Sequence, residues 1–207
     1  MKRAIDLLFS GLGLIVLSPV FGALALWIKL DSSGPVFYRG VRAGRFGRPF
    51  RIFKFRSMVM NADQVGGPSS SVDDPRITRS GHFLRSYKLD ELPQLINVFR
   101  GEMSLVGPRP EVMQEALLYT DQEKRLLLIR PGITDWSSIK FRNEGEILRG
   151  SVDPHQTYRE KIRPEKVRLG LEYVQNHSIL TDFRIILHTL KAILDRFSGV
   201  CQVFLPA

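Results

Sequence analysis

One stretch limits what this chain can fold into more than any other. Residues 7–28 run for 22 positions without a charge, interrupted near the middle by Ser18-Pro19. About 20 apolar residues span a hydrocarbon core, so the length alone suits a transmembrane helix. The flanks argue otherwise. Lys2 and Arg3 precede the stretch, and Arg39, Arg42, Arg45, Arg48, Arg51, Lys54 and Arg56 follow it. A single crossing puts one of these groups on the side that Lys and Arg avoid. A helix that enters, bends and returns keeps both on one side. Pro19 has no N–H and obstructs bonding to the carbonyl four residues earlier, which favours a kink. The Ser18 hydroxyl can serve backbone groups freed at the break. The halves, residues 7–17 and 20–30, are each only ~16 Å long at the helical rise, so neither spans alone. A kinked single-pass anchor stays open, because membrane helices tolerate proline. A cleaved signal peptide fits poorly: the run is long, no small-x-small site follows it, and the next residues are densely basic.

Charge is uneven along the chain. Of a net +9, residues 1–60 carry +8, with ten Lys/Arg against Asp6 and Asp31. This asymmetry points to an anionic surface or ligand near the N-terminal third. Headgroups, nucleotide phosphates and nucleic acid all qualify. Beyond the apolar stretch, the 207-residue chain has room for one domain of roughly 150 residues. The lone Cys201 permits no internal disulfide and fits a reducing compartment. His82, His155, His177 and His188 show no metal-ligand spacing, which speaks against zinc.

Residues 36–42 and 48–57 predict two strands around the turn Ala43-Gly44-Arg45-Phe46-Gly47. Basic residues recur at every third position from 39 to 54, so alternation along a strand sends them to opposite faces. Residues 61–81, rich in Gly, Ser, Asp and Pro, predict a mobile loop. Helical spacing then predicts a short piece at 82–87 and a helix over 91–99, stopped by Gly101. Further helices are expected over 111–129, 158–175 and 183–197. The last is amphipathic, which suits either core packing or a membrane interface.

Asp90 stands where an N-cap is expected for the helix over 91–99, with Pro93 in its first turn. Structural capping alone accounts for such a residue. Its company suggests more: many cations and a second Gly/Pro/Arg loop, Gly107-Pro108-Arg109-Pro110, occupy the same small domain.

Four segments occur in order: Lys54-Phe55-Arg56-Ser57-Met58, Asp74-Pro75-Arg76-Ile77-Thr78, Leu89-Asp90-Glu91-Leu92-Pro93-Gln94-Leu95-Ile96-Asn97, and Gly101-Glu102-Met103-Ser104-Leu105-Val106-Gly107-Pro108-Arg109-Pro110. With the Ser18-Pro19 break, the chain resembles the bacterial monotopic polyprenyl-phosphate phosphoglycosyl transferases, in their minimal small form, from about residue 1 to 194. The resemblance implies an α+β fold: a re-entrant membrane helix broken at Ser18-Pro19, then a small, mainly helical cytosolic domain with a β-hairpin and interfacial amphipathic helices. It divides the chain into residues 1–32, a catalytic domain over 33–197 and a tail over 198–207. It implies transfer of a sugar-1-phosphate from a nucleoside diphosphate sugar, a UDP-sugar, to polyprenyl phosphate with release of UMP, at the cytoplasmic face of the bacterial inner membrane, initiating membrane glycoconjugate assembly. Asp90 matches the family nucleophile and a Mg²⁺ ligand, and Glu91 its dyad partner. Lys54, Arg56, Arg85 and Arg109 match the phosphate-rich site. Membrane lipids are expected partners, a homo-oligomer stays open, and nucleic acid is not expected.

Residue chemistry agrees. A carboxylate needs no base to become a nucleophile, but it must approach phosphorus already crowded by negative charge. Mg²⁺ and Arg forks suit that problem. Two departures from the family pattern stand out: Gly40, where Gln is common, and Asp135-Trp136-Ser137-Ser138, where Gly-Trp-Ala-Gln is common. The competing readings are an anchored nucleic-acid or anionic-lipid module, using the aromatic residues among the hairpin cations, and a glycosyltransferase that releases UDP.

Overall fold

The computed structural model describes residues 1–197; Cys201 and the expected tail over 198–207 lie outside them. The apolar stretch forms two helices, α1 (Lys2–Val16) and α2 (Ser18–Asp31), bent by 60° at Leu17. Pro19 cannot bond the Ile15 carbonyl, and Ser18 Oγ donates to that same oxygen at 2.8 Å. No single described helix is long and apolar enough to cross a membrane, whereas the bent pair passes that test together.

Both ends of the pair dock on the rest of the chain. Near the start of α1, Asp6 accepts hydrogen bonds from Ser104 Oγ and Leu105 N, at 3.1 and 3.0 Å. Lys2 pairs with Asp182 and donates to the Val106 carbonyl at 3.0 Å. At the end of α2, Asp31 accepts from Ser80 N and Oγ at 2.9 and 2.8 Å. Arg56 closes the same end by donating to the carbonyls of Ser32 and Ser33.

The expected hairpin forms in two antiparallel pieces. β1 (Phe37–Tyr38) pairs with β4 (Lys54–Phe55), and β2 (Val41–Ala43) pairs with β3 (Pro49–Arg51). Between the pieces, Phe53 N leaves the ladder to donate to Asn97 Oδ1 at 2.8 Å. Of the cations expected to alternate, Arg39, Arg45, Arg48 and Arg51 are exposed, while Arg42 and Lys54 turn inward.

The segment over 61–81 carries more structure than a loop. It holds α3 (Ala62–Val65), a lock in which Arg76 reaches Asp74 and the Ala62 carbonyl, and the first turn of α4 (Arg79–Ser86), capped by Thr78. A 3₁₀ turn (Leu89–Glu91) leads into α5 (Gln94–Arg100), which Gly101 ends at φ 85°.

The helix expected over 111–129 is two pieces, α6 (Met113–Leu117) and a 3₁₀ segment (Glu123–Leu128). Thr120 and Glu123 exchange side-chain-to-backbone bonds in a capping box, which starts a new helical turn where the periodicity predicted continuity. After it come α7 (Trp136–Lys140), α8 (Glu144–Ile147), α9 (Pro154–Thr157), a wider turn (Tyr158–Ile162), α10 (Arg163–Asn176) and α11 (Ile179–Phe197). Pro164 sits in the first turn of α10, where its missing N–H costs nothing.

Sequence periodicity does not show the parallel pair of β5 (Ser104–Val106) and β6 (Gly132–Thr134). Gly107 and Gly132 cross so closely there that a Cβ on Gly107 would sit 2.5 Å from the Arg130 carbonyl.

Apolar clusters join these pieces, including one of Leu148, Tyr158 and Ile162 at the wider turn. Leu24, Ile28, Phe55 and Leu84 tie α2 to β4 and α4. Phe50, Ile52, Val98 and Met103 tie the hairpin to α5, and Val106, Tyr173 and Ile185 tie β5 to α10 and α11. Each fully buried side chain of this kind contributes ~1.5–3 kcal/mol. In α11, by contrast, Leu180, Phe183, Leu187, Leu190 and Leu194 are 49–65% exposed, so core packing does not explain its apolar face.

Candidate active site

The 3₁₀ turn before α5 places two adjacent carboxylates in different surroundings. Lys88, in the left-handed region at φ 57°, turns the chain so that Asp90 points inward. Asp90 is 7% exposed, and its Oδ1 finds no hydrogen-bond partner among the described residues. It is not the N-cap of α5, contrary to the expectation from sequence. Pro93 holds that position, because the 3₁₀ turn moves the helix start three residues along. An N-cap carboxylate would be occupied by backbone N–H groups; Asp90 is left available.

Glu91 is fully engaged. Lys54, on β4, donates to Glu91 Oε1 at 2.9 Å. Arg109 grips both carboxylate oxygens, with Nη1 at 3.1 Å from Oε2 and Nη2 on Oε1. Arg109 reaches this position because its loop follows the crossing of Gly107 and Gly132, where Gly107 N donates to the Thr134 carbonyl and Gly132 N to the Pro108 carbonyl.

The two acids therefore titrate in opposite directions. Burial pushes the Asp90 carboxyl up; Lys54 pulls it down in part, and the Glu91 charge raises it again. Burial also acts to raise Glu91, but Arg109 and Lys54 outweigh it and hold that carboxyl well below the ordinary range. Burial lowers Lys54 against the pull of Glu91, and the Glu91 charge holds Arg109 more firmly protonated than usual.

A polar cleft of about 1170 Å³ opens beside this pair. Lys54, Arg56, Arg85, Asp90, Glu91 and Arg109 all line it, so the structure brings the residues expected for catalysis and phosphate binding to one cleft, away from the Ser18-Pro19 break. Their uses differ. Arg85 donates to Ser70 through Nη2, while its buried Nη1 is without a partner among the described residues. Arg56 is 5% exposed and closes the end of α2 with both terminal nitrogens, which differs from the phosphate role implied by the resemblance. Two cleft residues escape sequence reasoning. Gln94 is buried with its Nε2 unpartnered, and Arg42 presents an inward guanidinium that burial makes less basic. Gln94 follows Asp90 by one helical turn, the single sequence signal that points to it.

No group of three or more Asp, Glu, His or Cys side chains able to hold a metal occurs among the described residues. The partnerless Asp90 Oδ1 is nevertheless a hard oxygen donor of the kind Mg²⁺ prefers, and Mg²⁺ commonly takes only one or two protein carboxylates, with phosphate and water completing its shell. Asp90 fits that role.

The departures from the family pattern have local explanations. At Gly40 the exposed Tyr38 side chain lies over the space a Cβ would take, so a larger residue there would require Tyr38 to move. Asp135 caps α7, accepting from Ser138 N at 2.7 Å and from Ser137 Oγ at 2.9 Å. Of the hairpin aromatics, Phe50, Phe53 and Phe55 are buried in the core, while Tyr38 and Phe46 are exposed.

The fold and site define a small body built on an inward-facing carboxylate pair and a bent apolar helix pair. Residues 1–196 match the family described as bacterial sugar transferase, and the chain belongs to that family. It is 43% identical over 197 residues to the undecaprenyl-phosphate glucose phosphotransferase of Komagataeibacter xylinus, covering 92% of this chain and 35% of that protein. It is 39% identical over 199 residues to the UDP-glucose:undecaprenyl-phosphate glucose-1-phosphate transferase of Escherichia coli K12, covering 92% of this chain and 39% of that protein. The exopolysaccharide production protein PSS of Rhizobium leguminosarum bv. phaseoli is 38% identical over 206 residues, covering 96% of this chain and 98% of its own length. The chain thus spans less than half of the first two relatives and nearly all of the third.

Proposed function

We propose that this chain transfers a sugar-1-phosphate from a UDP-sugar to polyprenyl phosphate and releases UMP, through a phosphosugar-aspartyl intermediate on Asp90. The observation that carries this reading is the Asp90 carboxylate, buried, partnerless at Oδ1 and facing a cationic cleft, while Glu91 beside it is fixed by Lys54 and Arg109. The names of the relatives support the substrate classes.

In the first step an Asp90 oxygen attacks the phosphorus that bears the sugar. The new bond is Asp90 O–P; the bond that breaks joins that phosphorus to the bridging oxygen, and its electron pair leaves with UMP. In the second step a phosphate oxygen of the acceptor attacks the same phosphorus and displaces the Asp90 carboxylate, which is regenerated. Arg85 and Arg109 reduce the repulsion between carboxylate and diphosphate, and Gln94 Nε2 offers a neutral donor. Glu91 holds Lys54 and Arg109 in place. Mg²⁺, held by Asp90 and the diphosphate, would supply charge neutralisation at the reacting phosphorus.

The bent pair supports a re-entrant anchor over residues 1–32, with the catalytic body over 33–197 held at the membrane face. Asp6 and Asp31 dock the two ends to one body, which a single crossing would have to separate. The bacterial inner membrane, where polyprenyl phosphate has its headgroup at the surface, is the corresponding location.

Mass spectrometry of enzyme incubated with UDP-sugar and Mg²⁺ without acceptor tests the chemistry. The expected result is a sugar-phosphate adduct on Asp90 with one equivalent of UMP. In D90N the adduct is lost and turnover falls by at least about 10⁴-fold. Release of UDP, or near-normal turnover by D90N, overturns the proposal.

A further inference from the structure

A second cavity, of about 590 Å³, meets the polar cleft but differs from it in character. Its walls are Ile5 and Phe9 of α1, Leu95 of α5, and Phe183, Ile186 and Leu190 of α11. Where the two cavities join, Lys88, Arg109, Arg142 and Lys166 line both together with the acids Glu91 and Glu144, the latter paired with Lys166; Asp90 lines the polar cleft alone. The groove therefore has a cationic mouth at the reacting carboxylates and an apolar body between the start of the bent helix pair and the last helix. Its outer walls, Phe9, Phe183 and Leu190, are 52–57% exposed and continue into the uncovered apolar faces of α1 and α11.

We infer that this groove holds the first isoprene units of the acceptor, with the acceptor phosphate at the Lys88–Arg109 mouth. The inference rests on the acceptor being a polyprenyl phosphate. Charge and polarity select that occupant: an anionic head on an apolar chain matches both ends of the groove, and continuity with the cleft brings the head to Asp90. A free nucleotide matches only the mouth, and an apolar protein segment matches only the body. The two substrates thus reach one carboxylate from two cavities, separated by the paired Glu91 and Arg109.

Photolabelling with a short polyprenyl phosphate carrying a diazirine near its phosphate tests this without requiring turnover. Label is expected on residues 183–193 and 5–9, competed away by undecaprenyl phosphate. Ala192 lines the groove and is half-buried, so A192F fills it, whereas L187F adds the same ring on the exposed face of the same helix outside the groove. A192F is expected to weaken labelling and raise KM for undecaprenyl phosphate about tenfold, with a comparable change for a ten-carbon prenyl phosphate, whose two isoprene units both lie in the groove, and none in UMP release without acceptor. L187F is expected to change none of these. Label confined to the outer face of α1 or to a second copy of the chain, or an unchanged KM for both acceptors in A192F, overturns the inference. A missing aspartyl adduct in the unmodified enzyme counts against the transfer chemistry instead, and the labelling pattern still decides the groove.

Discussion

At Asp90 the fold withholds what it gives to Glu91. Glu91 receives two cations and titrates low; Asp90 receives burial and an empty oxygen and titrates high. In the proposed transfer a proton on Asp90 blocks attack, so adduct formation should rise with pH through this raised pKa, with its acid limb above the ordinary carboxylate range. Lys54 is the largest influence lowering that pKa. Replacing it with Met should move the limb to higher pH and cost about a hundredfold in adduct rate at neutral pH, while Lys54→Arg should leave the limb in place. Single-turnover UMP release across pH measures both; an unmoved limb in Lys54→Met refutes the coupling. The Asp90-Glu91 pair, Lys54 and Arg109 are legible in sequence through their motifs. The inward placement of Gln94 and the bonds of Arg56 to the Ser32 and Ser33 carbonyls are not, because residue type gives a donor without naming its acceptor.

Elements became legible in sequence in proportion to how local their causes are. The break at Pro19 and the stop at Gly101 each follow from one residue's backbone chemistry. The capping box at Thr120 and Glu123 is also local, and it overrides an apolar period that continues through it. The parallel β5–β6 pair depends on residues 28 positions apart and leaves no periodic trace. That pair carries the Arg109 loop, so its tightness has a consequence at the site. A Cβ on Gly132 would fall far inside contact distance of Gly107 backbone atoms, which cannot rotate away. Gly132→Ala should therefore destabilise the chain by about 1–3 kcal/mol and displace Arg109 from Glu91. Gly22→Ala, with open space around its Cβ, should change stability by at most about 1 kcal/mol. Thermal unfolding in detergent compares the two, and equal stability in both variants would refute the close crossing.

For the whole molecule, apolar surface left uncovered on α1 and α11 is available to lipid. Leu8, Leu12, Ile15 and Val16 of α1 are more than half exposed, as are Leu180, Phe183 and Leu190 of α11, while the basic hairpin carries exposed arginines. Both ends of the bent pair are bonded to the same body, so moving one end across a bilayer would break either the Asp6 or the Asp31 hydrogen bonds. That cost favours return of the chain to its starting side over a crossing, and it makes a topological prediction. With Cys201 replaced by Ser, single cysteines at Ala4 and Arg39 should both react with a membrane-impermeant maleimide in inverted vesicles and neither in intact spheroplasts. Reaction of the two positions from opposite sides would establish a single crossing. It would then also separate the acceptor groove from one of its walls, since Ile5 and Phe9 follow Ala4 directly on α1.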